Sequence, residues 1–375
     1  MSVKIEKKIK GYTVIKPGEE KQAPVNIVVN DHDRRLKLDK VQVPLADSLR
    51  WEHRPHLTEG NPAHVFQVLG PEHKFFVIVS YVRNGSPDTG YPFEVFVAGH
   101  APRGLNALAK SLSLDMRSRD RAWLKAKLES IAKTTGKAFD FRMPNGIVIN
   151  IPSEVAAFAR LVHFQCEQLG AFSDDAMKET PLMNALMSSR RPKTTAAGSL
   201  AWYCDVENPN TGDKFKVFVP ELELPDGSKR PYEVWFDGVY PNQSFSGLAK
   251  CLSLDMQVND PDWVARKLRQ LSTLEEMQGE FWAPVPGSDK STVYPSTLAY
   301  VATLILSRYQ TLGILEAGGY SKTSNVITIK RNESTQEPVE GPIGQLDCPE
   351  CGGRQTMAVT GGCPICTACS YSRCG

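Results

Sequence analysis

The sequence predicts an α+β protein in which one small unit, a β-hairpin or meander followed by three helices, occurs twice before a cysteine-rich C-terminal segment. Three observations support this. Matching segments recur in the same order, strand-like runs precede helical periodicities in both copies, and six of the nine cysteines lie in the last 28 residues. A chain of 375 residues with 41% hydrophobic content has room for two or three domains with their own cores.

The repeat is an ordered series of matching segments. Residues 92–99 (PFEVFVAG) match residues 231–238 (PYEVWFDG), and the LAKSLSLDM run from Leu108 matches the LAKCLSLDM run from Leu248. Further on, IPSEVAAFARLV from Ile151 falls on YPSTLAYVATLI from Tyr294. Chance does not produce this order and spacing, so the sequence predicts an internal duplication.

Each copy begins with two strand-like runs joined by a turn-like segment. In the first copy, β-branched and aromatic residues fill 75–79 and 93–97, and residues 83–89 (RNGSPDT) have turn composition. The second copy repeats this pattern at 216–219, 225–229 and 232–236.

Three helices are predicted to follow in each copy. The apolar residues of 105–116 recur at helical spacing, which predicts the first helix. The second should begin after an aspartate N-cap, and the third should begin near Pro-Ser and end near a glycine. These markers are Asp120, Pro152, Ser153 and Gly170 in the first copy and Asp260, Pro295, Ser296 and Gly313 in the second.

The predicted elements divide the chain into six parts. They are an N-terminal extension (1–53), the first unit (54–172), a linker (173–195), the second unit (196–315), a polar linker predicted to be flexible (316–346), and the cysteine-rich segment (347–375).

Composition argues against several classes of protein. The net charge is only +2, so no global field indicates nucleic acid or membrane partners. The basic N-terminus has no apolar core, and the apolar run at 298–306 is too short to span a bilayer, so we expect a cytoplasmic protein without a membrane partner. The sequence contains no P-loop and no GxGxxG motif.

The cysteine-rich segment predicts a zinc ribbon. It contains CPEC from Cys348, then RQTMAVTGG, then CPICTAC from Cys363. Two CxxC pairs can supply the four thiolates of a tetrahedral Zn²⁺ site, and the intervening residues can form a hairpin with its turn at 361–362. A disulfide framework is the competing interpretation, which a reducing cytoplasm disfavours.

Six cysteines exceed the four that zinc needs. Zinc takes either Cys348, Cys351, Cys366 and Cys369, or Cys348, Cys351, Cys363 and Cys366. The spare pair is then Cys374 with either Cys363 or Cys369, and an exposed terminal thiol beside a second thiol suits disulfide exchange. The alternative is that the spare cysteines have no chemical role.

These motifs resemble a known family. The tail CPECGG…GGCPICTACSYSRC is similar to the C-terminus of adenosylcobalamin-dependent (class II) ribonucleotide reductases. The PFEVFV hairpin, the LAKSLSL helix and the upstream Arg54-Pro55 resemble the TSCPD domain that precedes that tail. The resemblance covers 54–170, 200–313 and the last 28 residues, and it is most like the small chain of a split enzyme.

The resemblance implies an accessory subunit that is not catalytic alone. In the family, a separate barrel chain binds nucleotide and adenosylcobalamin, and terminal cysteines re-reduce its active-site disulfide with thioredoxin or glutaredoxin as the electron source. The candidate redox residues are therefore Cys363, Cys369 and Cys374. The rival hypothesis is a zinc-ribbon adaptor that binds nucleic acid or protein; nucleic acid is disfavoured because the ribbon has only Arg354 and Arg373 as cations.

Several recurring residues have structural interpretations. Paired carboxylates could perform acid–base chemistry, but we expect a solvent-facing strand glutamate and a helix-end aspartate instead. The tryptophans should be core anchors, and two of the three scattered cysteines should be small core residues, while the histidines should lie in a loop. These residues are Glu94 and Glu233, Asp115 and Asp255, Trp123 and Trp263, Cys166 and Cys251, and His53 and His56.

Overall fold

A computed structural model describes residues 49–177 and 200–316 together with two short strands at 357–360 and 363–366. Within these ranges, positions 52, 56, 57, 59, 85, 224–226 and 259 are not described. Most of the predicted N-terminal extension (1–53) and most of both predicted linkers lie outside the described residues; only 49–51 and 53 of the extension are described.

The first unit is a three-stranded sheet followed by two helices, a small hairpin and a third helix, which confirms the α+β prediction. The strands pair antiparallel in the order β1-β2-β3, a meander. Its elements are β1 Ala63–Leu69, β2 Lys74–Asn84, β3 Ser86–His100, α1 Leu105–Arg117, α2 Arg121–Ile131, β4 Phe139–Arg142, β5 Val148–Ile151 and α3 Glu154–Gln168.

The second unit has the same order of elements, except that its third strand is divided in two. Both parts pair antiparallel with the central strand β7. Its elements are β6 Ala201–Asn208, β7 Asp213–Glu223, β8 Lys229–Pro231, β9 Trp235–Val239, α4 Asn242–Gln257, α5 Pro261–Ser272, β10 Phe281–Pro284, β11 Ser291–Tyr294 and α6 Thr297–Thr311.

The strand predictions are confirmed in part. The chain reverses direction inside the predicted turn 83–89, because antiparallel β2 ends at Asn84 and β3 begins at Ser86. The strands extend further into this segment than expected, with register shifts at Ser80/Tyr81 and Arg83/Asn84. The prediction missed the hairpins β4–β5 and β10–β11, whose strands have only four residues each.

The predicted helix boundaries are confirmed by their caps. Asp120 accepts a hydrogen bond from the backbone N–H of Trp123 (3.0 Å), and Asp260 does the same at the start of α5. Ser153 and Ser296 are the N-caps of α3 and α6, so each preceding proline lies just outside its helix. Past the ends of these helices, Gly170 and Gly313 have φ values of 78° and 72°, a left-handed conformation that glycine adopts without steric cost.

The cores of the two units meet through their helices. Helix α1 packs against α4 and α5, and α2 packs against α4. One hydrophobic cluster draws from both units and contains Leu114, Trp123, Val258 and Trp263. Both tryptophans are completely buried, as predicted for core anchors. In the described part of the chain, no helix is long and apolar enough to cross a membrane.

Candidate functional site

Four charged side chains meet between the units without any solvent exposure. They are Asp115 and Lys127 from the first unit and Asp255 and Lys267 from the second, and we call them the charge ring. Lys267 Nζ lies 2.6 Å from Asp115 Oδ2 and 3.0 Å from Asp255 Oδ2. Lys127 Nζ lies 2.7 Å from Asp115 Oδ1 and also pairs closely with Asp255 Oδ1. Each lysine therefore bridges both aspartates, and the ring joins the two units.

Helix geometry brings the ring together. Each aspartate lies near the C-terminal end of its helix, α1 or α4, and each lysine comes from the following helix, α2 or α5. The indole Nε1 of Trp123 donates to Asp115 (3.2 Å), and that of Trp263 donates to Asp255 (2.8 Å). The buried tryptophans thus fix the carboxylates in addition to filling the core.

Within the ring, the opposite charges offset the effect of burial on each other's pKa. Burial by itself would raise the pKa of Asp115, but the ammonium groups of Lys127 and Lys267 outweigh it and hold the pKa below the usual 3.8. Burial opposes the charge of Lys267, yet Asp115 and Asp255 raise its pKa well above 10.5. Two carboxylates and two ammonium groups sum to zero charge. The ring has no accessible surface and its four side chains pair with one another, so it suits a structural lock between the units rather than acid–base chemistry on a substrate.

Cys251 lies one helical turn before Asp255. It faces Ser111, the residue at the matching position of the first unit. Its Sγ lies 3.5 Å from Ser111 Oγ, and it has no exposed surface. Burial raises the pKa of the Cys251 thiol, and it raises that of Cys166 to about 12. Both thiols are therefore protonated and unreactive at neutral pH, and both lie in the core as predicted.

A second cluster could be mistaken for a metal site. Ligand-type atoms of Glu72, His73 and Glu154 lie within 4.8 Å of one another. However, Glu154 Oε1 accepts hydrogen bonds from the backbone N–H groups of Glu72 (3.0 Å) and His73 (2.8 Å), and Oε2 lies 2.6 Å from His73 Nδ1. These contacts already use the buried carboxylate to fasten the β1–β2 turn to the start of α3.

The second unit fastens the same turn with different residues. Thr297, at the start of α6, donates to Asp213 Oδ2 (2.6 Å) and accepts from Asn208 Nδ2 (2.9 Å). Because the same junction is held there by a threonine, the glutamate and histidine of the first unit have a structural explanation. We assign no metal to them.

The glutamates predicted to face solvent are buried instead, so that prediction is wrong. Glu94 is 7% exposed and Glu233 is 3% exposed. Arg54 Nε lies 2.6 Å from Glu94 Oε2, and Arg117 Nη2 lies 3.8 Å from Oε1, so arginine partners compensate for the burial of Glu94. His53 is exposed outside any helix or strand, while His56 lies outside the described residues.

Two of the six clustered cysteines lie on a described strand. The strand β12 (Met357–Thr360) pairs antiparallel with β13 (Cys363–Cys366), in register Thr360↔Cys363 and Met357↔Cys366. The first strand lies in the segment expected to form a hairpin, whereas the second strand is the CPIC motif itself. The other candidate ligands and redox thiols, Cys348, Cys351, Cys369 and Cys374, lie outside the described residues.

Comparisons with known proteins return no relatives. The chain matches no family model, no curated protein and no solved structure.

Proposed function

We propose that this chain is the accessory, non-barrel subunit of a class II ribonucleoside-diphosphate reductase that acts in the cytoplasm in deoxyribonucleotide synthesis. Two duplicated TSCPD-like units would dock on the catalytic barrel chain, which would hold the adenosylcobalamin. The C-terminal cysteines would re-reduce the active-site disulfide of that chain. The sequence resemblance motivates the proposal, and the β12–β13 hairpin in the cysteine-rich segment is the structural observation that carries it.

The hairpin supports a zinc ribbon and favours one choice of ligands. Residues three apart in an extended strand have Cα atoms about 10 Å apart. Two thiolates on one Zn²⁺ ion, at about 2.3 Å each, are less than about 5 Å apart. Cys363 and Cys366 span such a strand, so they fit poorly as a chelating pair. The proposed zinc ligands are therefore Cys348, Cys351, Cys366 and Cys369.

This choice leaves Cys363 and Cys374 as the redox pair. The Cys374 thiolate would attack the partner's disulfide to form a mixed disulfide, and the second thiol would then release the partner as a dithiol. Two electrons and two protons pass to the partner, and the tail is left with one disulfide. Thioredoxin or glutaredoxin would reduce that disulfide, while Zn²⁺ keeps the ribbon folded throughout.

The two units are proposed to act in docking. The four residues of the charge ring recur in both units and are buried and paired with one another, which suits a rigid platform. The deeply buried cysteines of these units are unsuited to electron transfer, since their thiols stay protonated.

The decisive experiment compares Cys374→Ser with the matched control Cys204→Ser in a reductase reconstituted with its catalytic chain. Cys374→Ser should keep one zinc per chain and normal folding, yet reduce turnover at least about tenfold when thioredoxin is the reductant. Turnover with a small dithiol, which reaches the barrel directly, should change little. Cys204→Ser should resemble wild type with both reductants.

Two results would refute the proposal. Wild-type turnover of Cys374→Ser with thioredoxin would end the redox role and leave a docking or nucleic-acid-binding adaptor. Ribonucleotide reduction by the isolated chain supplied with adenosylcobalamin would contradict an accessory role. Elemental analysis of Cys348→Ser tests the metal separately, because both ligand sets include this residue and its loss should abolish zinc binding.

A further inference from the structure

The first unit buries an arginine whose charge has no acidic partner among the described residues. Arg121, the first residue of α2, is 4% exposed. Its Nη1 donates to the backbone oxygen of Met116 (2.9 Å), whereas its Nη2 is buried without a hydrogen-bond partner. Burial lowers its pKa to about 10, so the guanidinium is still charged at neutral pH. A buried charge of this kind is costly unless something compensates for it.

The groups around Arg121 add donors and positive charge. Arg50 and Tyr91 lie close enough to influence the Arg121 guanidinium, and the charge of Arg50 lowers its pKa further. The Arg50 guanidinium lies over the Tyr91 ring, with Cζ 3.8 Å from the ring centroid, and its Nε is also buried without a hydrogen-bond partner. Trp51 packs against the same tyrosine at 6.2 Å, and its indole Nε1 is a third buried donor without an acceptor.

Two buried carboxylates of the first unit are already engaged. Asp120, directly before Arg121, accepts from the backbone N–H of Trp123 as the N-cap of α2. Glu94 pairs with Arg54 and Arg117, and the ion pairs of the described residues include neither Arg50 nor Arg121. Cys166, the other group near Arg121, stays protonated because burial raises its pKa to about 12. Among the described residues, Arg50 Nε, Trp51 Nε1 and Arg121 Nη2 are thus three buried donors without a hydrogen-bond acceptor.

The fold itself does not require this arrangement. In the second unit the first residue of the corresponding helix is Pro261, although the preceding N-cap is aspartate in both units. Proline is favourable at this position and carries no charge. Arg121 is therefore dispensable for starting the helix, and its buried charge needs a different explanation.

We propose that Arg50, Trp51 and Arg121 form a binding site for a phosphate-type oxyanion. The planar guanidinium groups match the tetrahedral oxygens of phosphate, and charge-assisted hydrogen bonds of this kind are the strong ones. Arg50 and Trp51 are only half-buried, which leaves a route for the anion to enter. The ligand is either free phosphate or the phosphate group of a larger molecule such as a nucleotide. This site is independent of the redox role proposed for the tail.

Thermal unfolding and calorimetry of the full chain test the site with three probes: inorganic phosphate, pyrophosphate and ATP. Phosphate should raise the Tm of wild type at constant ionic strength, whereas chloride should not. Arg121→Met and Arg50→Met should each weaken phosphate binding at least about tenfold, because each removes a charged donor. The control is Arg119→Met, which removes an exposed arginine two residues away and should bind like wild type.

The arms of the experiment separate the sources of the oxyanion. At least tenfold tighter binding of ATP or pyrophosphate than of phosphate would identify a phosphorylated molecule as the ligand, and equal or weaker binding would identify free phosphate. The proposal is overturned if phosphate does not stabilise wild type, if acetate stabilises it equally, or if Arg50→Met binds phosphate normally. Because Arg50 is half-buried, its variant provides the test even if Arg121→Met does not fold.

Discussion

The two sheets differ in the residues on their outer faces, although the inner face of each sheet packs into a hydrophobic core. In the first unit one cross-strand row consists of Gln67, Phe76 and Ala98. The corresponding row of the second unit consists of Asp205, Lys216 and Asp237. The fold therefore requires an apolar inner face but accepts either apolar or charged residues outside.

The interface between the units shows the opposite tendency. Each unit contributes one aspartate and one lysine to the charge ring and one tryptophan that donates to the aspartate, and the contacts on the two sides are nearly the same. The ring is thus one feature that the units share closely, whereas the outer sheet faces and the surroundings of Arg121 are among the features that distinguish them. Three substitutions test this division.

Breaking the charge ring should have the largest effect. Lys267→Met leaves two buried carboxylates with one ammonium group, so we expect a loss of about 3–5 kcal/mol in the free energy of unfolding, measured by urea denaturation. The control, Lys216→Met, removes an exposed lysine that pairs with Asp205 on the second sheet, and it should leave stability nearly unchanged.

The pH dependence sharpens this test. Asp115 has a folded pKa below 3.8, so its contribution is complete above that pH and is lost as the pH falls through the folded pKa. Lys267 has a raised pKa, so its contribution is complete below 10.5 and is lost as the pH rises through the folded value. Both contributions should therefore be constant in wild type from about pH 5 to about pH 9. In Lys267→Met two buried carboxylates share one ammonium group, so the variant should gain stability by protonation as the pH falls, and its deficit relative to wild type should narrow toward pH 5. A deficit that widens toward pH 5 would contradict a charged ring.

A methyl group placed between the units should have an intermediate effect. Gly104 has φ +83°, and a Cβ atom there would lie 2.8 Å from Cε1 of Phe245 in the second unit. Gly146, in the β4–β5 hairpin, has φ +86° with nothing within 4 Å, so it is the matched control. Both alanine variants should lose about 1–2 kcal/mol from backbone strain, and Gly104→Ala should lose about 1–3 kcal/mol more from overpacking.

If Gly104→Ala and Gly146→Ala lost the same free energy of unfolding, the added methyl group at Gly104 would cost no overpacking. The two units would then be able to move apart at Gly104 at little cost. The measurement is again urea denaturation, with both variants compared with wild type in the same buffer.

Placing a residue of the second outer face on the first should have the smallest effect on the free energy of unfolding. Phe76→Lys gives the first sheet the residue found at Lys216 of the second, and because Phe76 is 37% exposed we expect a change below about 1 kcal/mol. Val77→Ala, one residue along on the fully buried inner face, should cost about 2 kcal/mol. A larger loss for Phe76→Lys than for Val77→Ala would show that the outer face is covered in solution.

Local signals in the sequence predicted the parts of the fold that depend on local physics. The N-caps at Asp120 and Ser153 and the helix end at Gly170 were predicted because a cap is determined by neighbouring residues. The β4–β5 hairpin was missed since strands of four residues give little periodicity. The run Pro144-Asn145-Gly146 is a turn signal that could have revealed it.

The ring and the buried glutamates depend on contacts that are distant in sequence. Asp115 was interpreted as a helix-end residue, and its partner Lys267 is 152 residues away. A usable signal did exist, because aspartate, tryptophan and lysine recur together in both units, and a recurring charged pair beside a core tryptophan indicates burial. Glu94 offered no comparable signal, since its ion pair with Arg54 depends on how the preceding loop lies against β3.

The ring also affects how the chain is made. Asp115 and Lys127 are translated well before their partners, and Lys127 is separated from Asp255 by 128 residues. At about 5–20 residues per second, the ribosome needs roughly 6–26 s to supply that partner. During this interval a nascent first unit displays the Asp115–Lys127 pair beside Trp123 without its partners from the second unit, and a second nascent copy offers a similar pair. Carrying both halves on one polypeptide gives the correct partner a high effective concentration and so protects neighbouring chains on a polysome from joining to each other.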